Sequence, residues 1–190
     1  MPGYMYGADN LVTTLLLIIS VIISVGASIY VKKSYLKYKN IANKKTITGF
    51  EVARKILDVN GLSNVHVVEV KGELTDHYEP RRKTVRLSTN IFHGDSIAAA
   101  SVAAHEVGHS IQDKNGYMYM KIRSFLVPIV NLCSKLGYFA IIIGLIFEML
   151  NLAYIGMFLL ITILVFQLIT LPVEFDASKK ALAELNKLGI

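Results

Sequence analysis

Three long apolar stretches restrict the possible folds of this chain more than any other feature of its sequence. Residues 11–31 form the first, with 21 consecutive uncharged residues, and about 20 residues of helix cross the apolar core of a bilayer. Residues 131–150 and 152–171 form two more, with Lys135 about one turn inside the second, from where its side chain can reach the head groups. We therefore predict a mainly α-helical membrane protein with three transmembrane helices.

A cleaved signal peptide is the competing interpretation of the first stretch. Such a peptide begins with basic residues and has an apolar core of roughly 7–15 residues. Residues 1–10 contain no Lys or Arg, and the apolar run that follows is longer than such a core. We therefore predict a retained N-terminal anchor at residues 1–31. The second and third spans would form a hairpin at residues 125–171, with a tight turn at 148–151.

Positive charge is concentrated in one part of the chain. The formal net charge is +6, and residues 32–124 hold 16 of the 20 Lys and Arg residues. The positive-inside rule then places the amino terminus outside the cell, and residues 32–124 and 172–190 in the cytoplasm. Because no motif that reads nucleic acid accompanies these charges, we expect them to contact the lipid bilayer and expect no nucleic-acid partner.

The polar region at residues 32–124 has the pattern of a small α+β unit. Thr48 and Glu51 have the spacing of a capping box at the start of an amphipathic helix. Alternating β-branched residues and a Pro-containing turn indicate strands further on. The predicted elements are a helix at 48–59, a strand at 65–70, a β-hairpin or irregular equivalent within 73–88, and an Ala-rich helix that begins after Asp95 or Ser96 and runs to about 113.

The residues that point to chemistry are His105-Glu106-Val107-Gly108-His109, an H-E-x-x-H motif. Two His at positions i and i+4 of a helix lie on one face, so both rings can bind one metal ion. Zinc with three protein ligands and an open position lowers the pKa of its water towards about 7. The Glu between the two His lies close enough to accept that proton. The motif therefore predicts Zn²⁺ bound by His105 and His109, with Glu106 as catalytic base.

An alternative is that the two His lie on the surface of an amphipathic helix. The neighbouring Ala and Val residues would bury them instead, and a buried polar group without a partner is costly. A catalytic zinc also needs a third protein ligand, for which the spacing leaves several candidates open. These candidates are His66, His77, His93, and two acids after the third span, Glu174 and Asp176, of which only one could face the ion from a helix.

Three separated segments, HEVGHSIQ, LPVEFDAS and GELTDHYEPRRKTVRLS, resemble the neutral zinc metallopeptidases of the YugP type, which are bacterial membrane proteins. The likeness covers roughly residues 48–185. More distantly, the chain is similar to HtpX and the prenyl-protein proteases, whose third zinc ligand is the Glu of an E-x-x-A-D motif. Glu174 and Ala177 match that motif, and Ser178 stands in the place of its Asp. The resemblance implies Glu174 as the third ligand, beside His105 and His109.

Together these observations predict a multi-pass zinc metalloprotease of the gluzincin type in the bacterial inner membrane. It would hydrolyse peptide bonds of a peptide or protein substrate at the cytoplasmic face. Its fold would be three transmembrane helices with a small cytoplasmic α+β domain like that of zincins. The predicted regions are the anchor at 1–31, the metallopeptidase region at 32–124, the hairpin at 125–171 and a C-terminal helix at 172–190. The alternative function is a catalytically silent membrane adaptor with a structural zinc site.

Overall fold

The structure is a computed structural model that describes residues 3–190, with side chains described from residue 11 onwards. Residues 1 and 2 of the predicted anchor lie outside the described residues. Most of the described chain is helical. A small mixed sheet is formed by residues that come between the first and last helices in the sequence. The elements are α1 (Gly3–Lys39), α2 (Gly49–Val59), β1 (His66–Val70), β2 (His77–Glu79), a 3₁₀ turn (Pro80–Arg82), β3 (Thr84–Ser88), α3 (Thr89–Phe92), α4 (Ile97–Lys114), α5 (Met118–Ile146) and α6 (Leu150–Leu188).

Helices α2 and α4 begin where the sequence predicts. The predicted capping box of α2 is present: the Glu51 amide donates to Thr48 Oγ1 at 3.2 Å, and the Thr48 amide donates to Glu51 Oε2 at 2.7 Å. Of the two candidate caps of α4, Ser96 is the one that caps, since its Oγ accepts from the Ala99 amide at 3.1 Å. These bonds satisfy amide groups that have no partner inside a first helical turn.

The sheet has the strand order β1-β3-β2, with β3 in the centre. Strand β1 runs parallel to β3, and β2, which the 3₁₀ turn connects to β3, runs antiparallel to it. The predicted strand at 65–70 is therefore confirmed, and the predicted hairpin is confirmed only in its second part. Residues 73–76 lie outside the strands, and the Asp76 carboxylate instead accepts from the amide of Ser88 at 2.6 Å.

The hydrophobic core lies between α2, α4 and the sheet, and α6 closes one side of it. The Ala-rich face of α4 lets these neighbours approach closely, because small side chains leave room for opposing backbones. Fully or almost fully buried members of this core include Val52, Ile56, Leu57, Val85, Leu87, Ala99, Ala103, Val107 and, from α6, Val173.

Among the residues that the structure describes, three helices are long and apolar enough to cross a membrane: α1, α5 and α6. Helices α5 and α6 pack against each other through small residues. A Cβ added at Gly144 would lie 2.6 Å from the Ala153 amide nitrogen, and one added at Gly156 would lie 2.7 Å from the Gly137 carbonyl oxygen. Such close backbone approach is typical of helix pairs in lipid. The turn between them covers residues 147–149, slightly earlier than the predicted 148–151.

Helix α6 corrects one local interpretation of the sequence. Pro172 is predicted at the start of a separate C-terminal helix, but it lies inside α6, which continues without interruption to Leu188. Proline removes one N–H donor from a helix interior and clashes with the preceding turn, which favours a helix boundary. Long apolar helices nevertheless tolerate it, and α5 likewise contains Pro128. The division of the chain into four functional regions stays a prediction.

Candidate metal centre

Helices α4 and α6 approach each other closely within the H-E-x-x-H segment. A Cβ added at Gly108 would lie 2.6 Å from the carbonyl oxygen of Ala177, so the two backbones touch there without an intervening side chain. Val173 and Ala177 are completely buried at this contact. The part of α6 that follows the predicted membrane span is thereby held directly against the face of α4 that carries the two His.

This contact brings together the three predicted metal ligands. Glu174 Oε2 lies 3.2 Å from His105 Nε2 and 3.5 Å from His109 Nε2. The three potential ligand atoms all lie within 4.8 Å of one another. His109 is buried, whereas His105 and Glu174 are half-buried. Two imidazole nitrogens and one carboxylate oxygen are the donor set that catalytic zinc uses in several peptidases, and the chemistry of this group therefore fits zinc.

The remaining nitrogen of each imidazole has a partner of its own. His109 Nδ1 lies 3.0 Å from Gln112 Oε1, and His105 Nδ1 lies 3.2 Å from Ser178 Oγ. Such partners orient metal-binding imidazoles and leave the other nitrogen for the metal. Sequence reasoning missed Gln112, although it follows His109 by three positions, which puts the two side chains on one helical face.

Glu106 is buried beside the two His. Burial raises the pKa of its carboxyl group, the imidazoles of His109 and His105 oppose this shift, and the carboxylates of Asp76 and Glu174 add to it. In the same group, the hydrogen bond to Glu174 raises the pKa of the His105 imidazole, and burial opposes that shift. A carboxylate whose proton affinity is increased in this way is suited to accept a proton near neutral pH.

The other candidate ligands lie elsewhere. Asp176 Oδ2 accepts from Gln112 Nε2 at 2.8 Å and from Lys180 Nζ at 2.5 Å. His66 is exposed on β1, the exposed His77 contacts the Thr75 carbonyl, and His93 pairs with Glu69 on the surface at 3.2 Å. Among the two acids that the spacing left open, the structure brings Glu174 to the two His and directs Asp176 to Gln112. The assignment of roles to these residues stays a prediction.

Two further features border the group. Arg123 Nη2, from the second turn of α5, lies 3.5 Å from Glu174 Oε1, the carboxylate oxygen that does not face the His pair. A cavity of about 430 Å³ opens beside His105 and Glu106. Its wall is mostly apolar and is formed by the side chains of α4 and of the end of α6. The lining residues are Ser101, Val102, His105, Glu106, Ser178, Ala181, Leu182 and Leu185.

A mainly helical chain with three membrane-length helices, which gathers two imidazoles and a carboxylate at one point, has the features of a membrane metalloprotein. The chain belongs to the family described as "Putative neutral zinc metallopeptidase", whose sequence model matches residues 13–190. It is 44% identical over 159 residues to "Putative membrane protease YugP" of Bacillus subtilis (strain 168), an alignment that covers 84% of this chain and 71% of that protein. No solved structure matches the chain.

Proposed function

We propose that this protein is a membrane zinc metallopeptidase of the gluzincin type, with a zincin-like cytoplasmic region. His105, His109 and Glu174 would hold the zinc, and Glu106 would act as general base. One observation carries the proposal: the Nε2 atoms of both imidazoles converge on the same carboxylate oxygen, at 3.2 and 3.5 Å, although that oxygen is 69 residues away in the sequence from the first His.

The proposed roles of zinc and Glu106 follow from charge and burial. When bound, zinc would supply Lewis acidity and lower the pKa of water. Glu106 takes a proton from the attacking water as its oxygen adds to the peptide carbonyl carbon. It then returns the proton to the amine nitrogen as the C–N bond breaks. Because burial raises the pKa of Glu106, the carboxylate is a stronger base than an exposed glutamate.

The cavity beside His105 and Glu106 supports a peptide substrate. Its volume of about 430 Å³ lies within the range of small-ligand pockets, and its largely apolar lining suits an apolar side chain next to the scissile bond. We place this site on the cytoplasmic side of the bacterial cell membrane. The concentration of basic residues in 32–124 supports that orientation through the positive-inside rule.

The experiment compares purified wild type with Glu106→Gln and Glu174→Ala in detergent. Zinc content per chain and cleavage of an unstructured peptide are measured on each. Glu106→Gln is expected to keep its zinc and lose cleavage, since the amide cannot accept a proton. Glu174→Ala is expected to lose zinc, because two imidazoles remain. Unchanged cleavage by Glu106→Gln would contradict the mechanism, and a wild type that binds zinc but cleaves nothing would replace it by the adaptor function.

A further inference from the structure

Gln112 is the buried polar side chain that links the two helices of the metal centre. It is 0% exposed and lies in α4, one helical turn after His109. Its Nε2 lies 2.8 Å from the Val173 carbonyl oxygen and 2.8 Å from Asp176 Oδ2, both in α6. Its Oε1 lies 3.0 Å from His109 Nδ1. All three polar contacts of the carboxamide are therefore made inside the protein.

The chemistry of these partners fixes the orientation of the carboxamide. A backbone carbonyl can only accept a hydrogen bond, and so can an ionised carboxylate. Lys180 Nζ, 2.5 Å from Asp176 Oδ2, favours the ionised form of that acid. The side of Gln112 that faces Val173 and Asp176 must therefore be the NH₂ group, because the reverse orientation would set acceptor against acceptor twice. Gln112 Oε1 is left to face His109, and it can only accept.

Hydrogen-bond acceptors near an imidazole influence which of its two nitrogens carries the proton. A neutral imidazole carries one N–H, and the other nitrogen carries a lone pair. Two acceptors compete for the proton of His109: Gln112 Oε1 lies 3.0 Å from Nδ1, and Glu174 Oε2 lies 3.5 Å from Nε2. The shorter contact favours the proton on Nδ1, and the lone pair is then on Nε2, the nitrogen that faces Glu174. The other histidine differs, because the hydroxyl of Ser178 at His105 Nδ1 can donate or accept, whereas Glu174 Oε2, 3.2 Å from His105 Nε2, can only accept. Without metal, these contacts favour the form of His105 with its proton on Nε2.

We propose that Gln112, oriented by the Val173 carbonyl and Asp176, is a positioning residue that holds His109 in the form with its proton on Nδ1, so that Nε2 is ready to bind the metal before any metal arrives. The inference rests on the proposed function for the role of His109 as a ligand. It also explains why α6 carries two acids here, since Glu174 faces the two imidazoles while Asp176 acts on His109 through Gln112.

The test uses the full chain in detergent with ¹⁵N-labelled histidine, without metal and at an alkaline pH well above the ordinary pKa of histidine, about 6.5. Nitrogen chemical shifts distinguish protonated from unprotonated ring nitrogens, and a His109→Gln sample identifies the resonances of His109. In the wild type, His109 is expected mainly in the Nδ1–H form, and His105 in the opposite form, with its proton on Nε2. A His109 with its proton on Nε2 overturns the proposal, and this measurement requires no variant to fold.

Gln112→Met keeps the length of the side chain and removes its hydrogen bonds. We expect His109 to become a mixture of both forms and the zinc affinity, from competition with a chelator, to fall about 10- to 100-fold. Ser110→Ala is the matched control, because Ser110 is also buried in α4 but bonds only the Val107 carbonyl; it should change neither readout. If Gln112→Met weakens zinc binding while His109 keeps the Nδ1–H form, Gln112 is merely structural and the proposal fails.

A double variant separates positioning from packing. In Gln112→Glu with Asp176→Asn, the new carboxylate accepts from His109 Nδ1 and from the new amide at 176. The Val173 carbonyl loses the donor that Gln112 provides, so part of the zinc affinity is not expected to return. We expect the Nδ1–H form to return and the zinc affinity to lie within about 10-fold of the wild type, closer than that of Gln112→Met. A double variant with a mixture of forms overturns the proposal. Both readouts are independent of peptide cleavage, so a failure of the proposed protease activity leaves them interpretable.

Discussion

Helices α1 and α6 are both long and strongly apolar, but they differ in how much they contact the rest of the molecule. Both helices have a strongly apolar stretch, yet none of the stretch in α1 is buried inside the protein, whereas 11% of that in α6 is buried. Near its C-terminal end α1 touches the core through the half-buried Tyr35. Helix α6 packs along α5 and then runs on, through Val173 and Ala177, into the contact with α4.

The comparison separates two uses of an apolar helix. Residues 11–33 of α1 expose their side chains to the surroundings, and we expect other apolar sequences to serve there equally well. Helix α6 has defined neighbours at almost every turn after Pro172, and its backbone positions Glu174, Asp176 and Ser178 against α4. We therefore expect substitutions in α6 and its contacts to affect the metal centre, and equivalent substitutions in α1 to leave it intact.

The largest effect is expected from Gly108→Ala. The new Cβ would lie 2.6 Å from the Ala177 carbonyl oxygen, and because a backbone atom cannot rotate away, α6 must shift and take Glu174 with it. Zinc affinity should fall by about 100-fold or more, the upper end of what indirect changes at metal sites cause. Gly26→Ala in α1 is the matched control, since nothing lies within 4 Å of its added Cβ. A Gly108→Ala protein with normal affinity would contradict the close contact of the two helices.

Metal removal should rank second. A ligand at about 1,000 times its Kd stabilises the folded state by about 4 kcal/mol, so a chelator should lower the melting temperature by roughly 10 °C. Hydrogen exchange should quicken in α4 and in α6 around residues 173–184, which the metal would join, and should stay constant in α1. The Glu174→Ala protein serves as the control and should show little response to the chelator. An equal increase in the hydrogen exchange of α1 would contradict the expectation that α1 is independent of the metal centre.

A smaller effect is expected when a buried side chain of α6 is shortened. Val173→Ala removes two methyl groups from a position that is 0% exposed, which should cost about 2 kcal/mol of unfolding free energy, including the cavity that remains. Val25→Ala in α1 removes the same atoms at a position that is 51% exposed and should change stability by less than about 0.5 kcal/mol. Denaturant unfolding in the same detergent measures both changes. Equal losses of unfolding free energy would contradict the expected difference between α6 and α1.

The smallest effect should come from the largest sequence change. Replacing residues 11–29 of α1 by an unrelated Leu- and Ala-rich helix of equal length preserves the apolar surface and leaves the contact around Tyr35 untouched. Zinc affinity should stay within about twofold of the wild type, because a change far from a site normally adds independently to its energetics. A clear loss of affinity would show that α1 contributes specific contacts to the metal centre.

Local signals in the sequence predicted the elements of the polar region well. The capping box at Thr48 and Glu51 and the cap at Ser96 act through hydrogen bonds between neighbouring residues, so they can be predicted from short stretches of the sequence. Pro172 was misread for the same reason. Its local preference indicates a helix start, but the packing of α6 against α5 and α4 maintains one continuous helix.

The amino-acid sequence by itself determined that the chain has three membrane-length apolar helices and an H-E-x-x-H motif on a helix, because hydropathy and helical period depend only on residues close together in the chain. The tertiary structure alone decided which acid faces the two His and how they are held. Glu174 and Asp176 are two positions apart and chemically alike, so only the register of α6 on α4, set where Gly108 meets Ala177, distinguishes them. Contacts between residues about 65 positions apart, such as Gln112 with Asp176, arise from packing that no local pattern encodes.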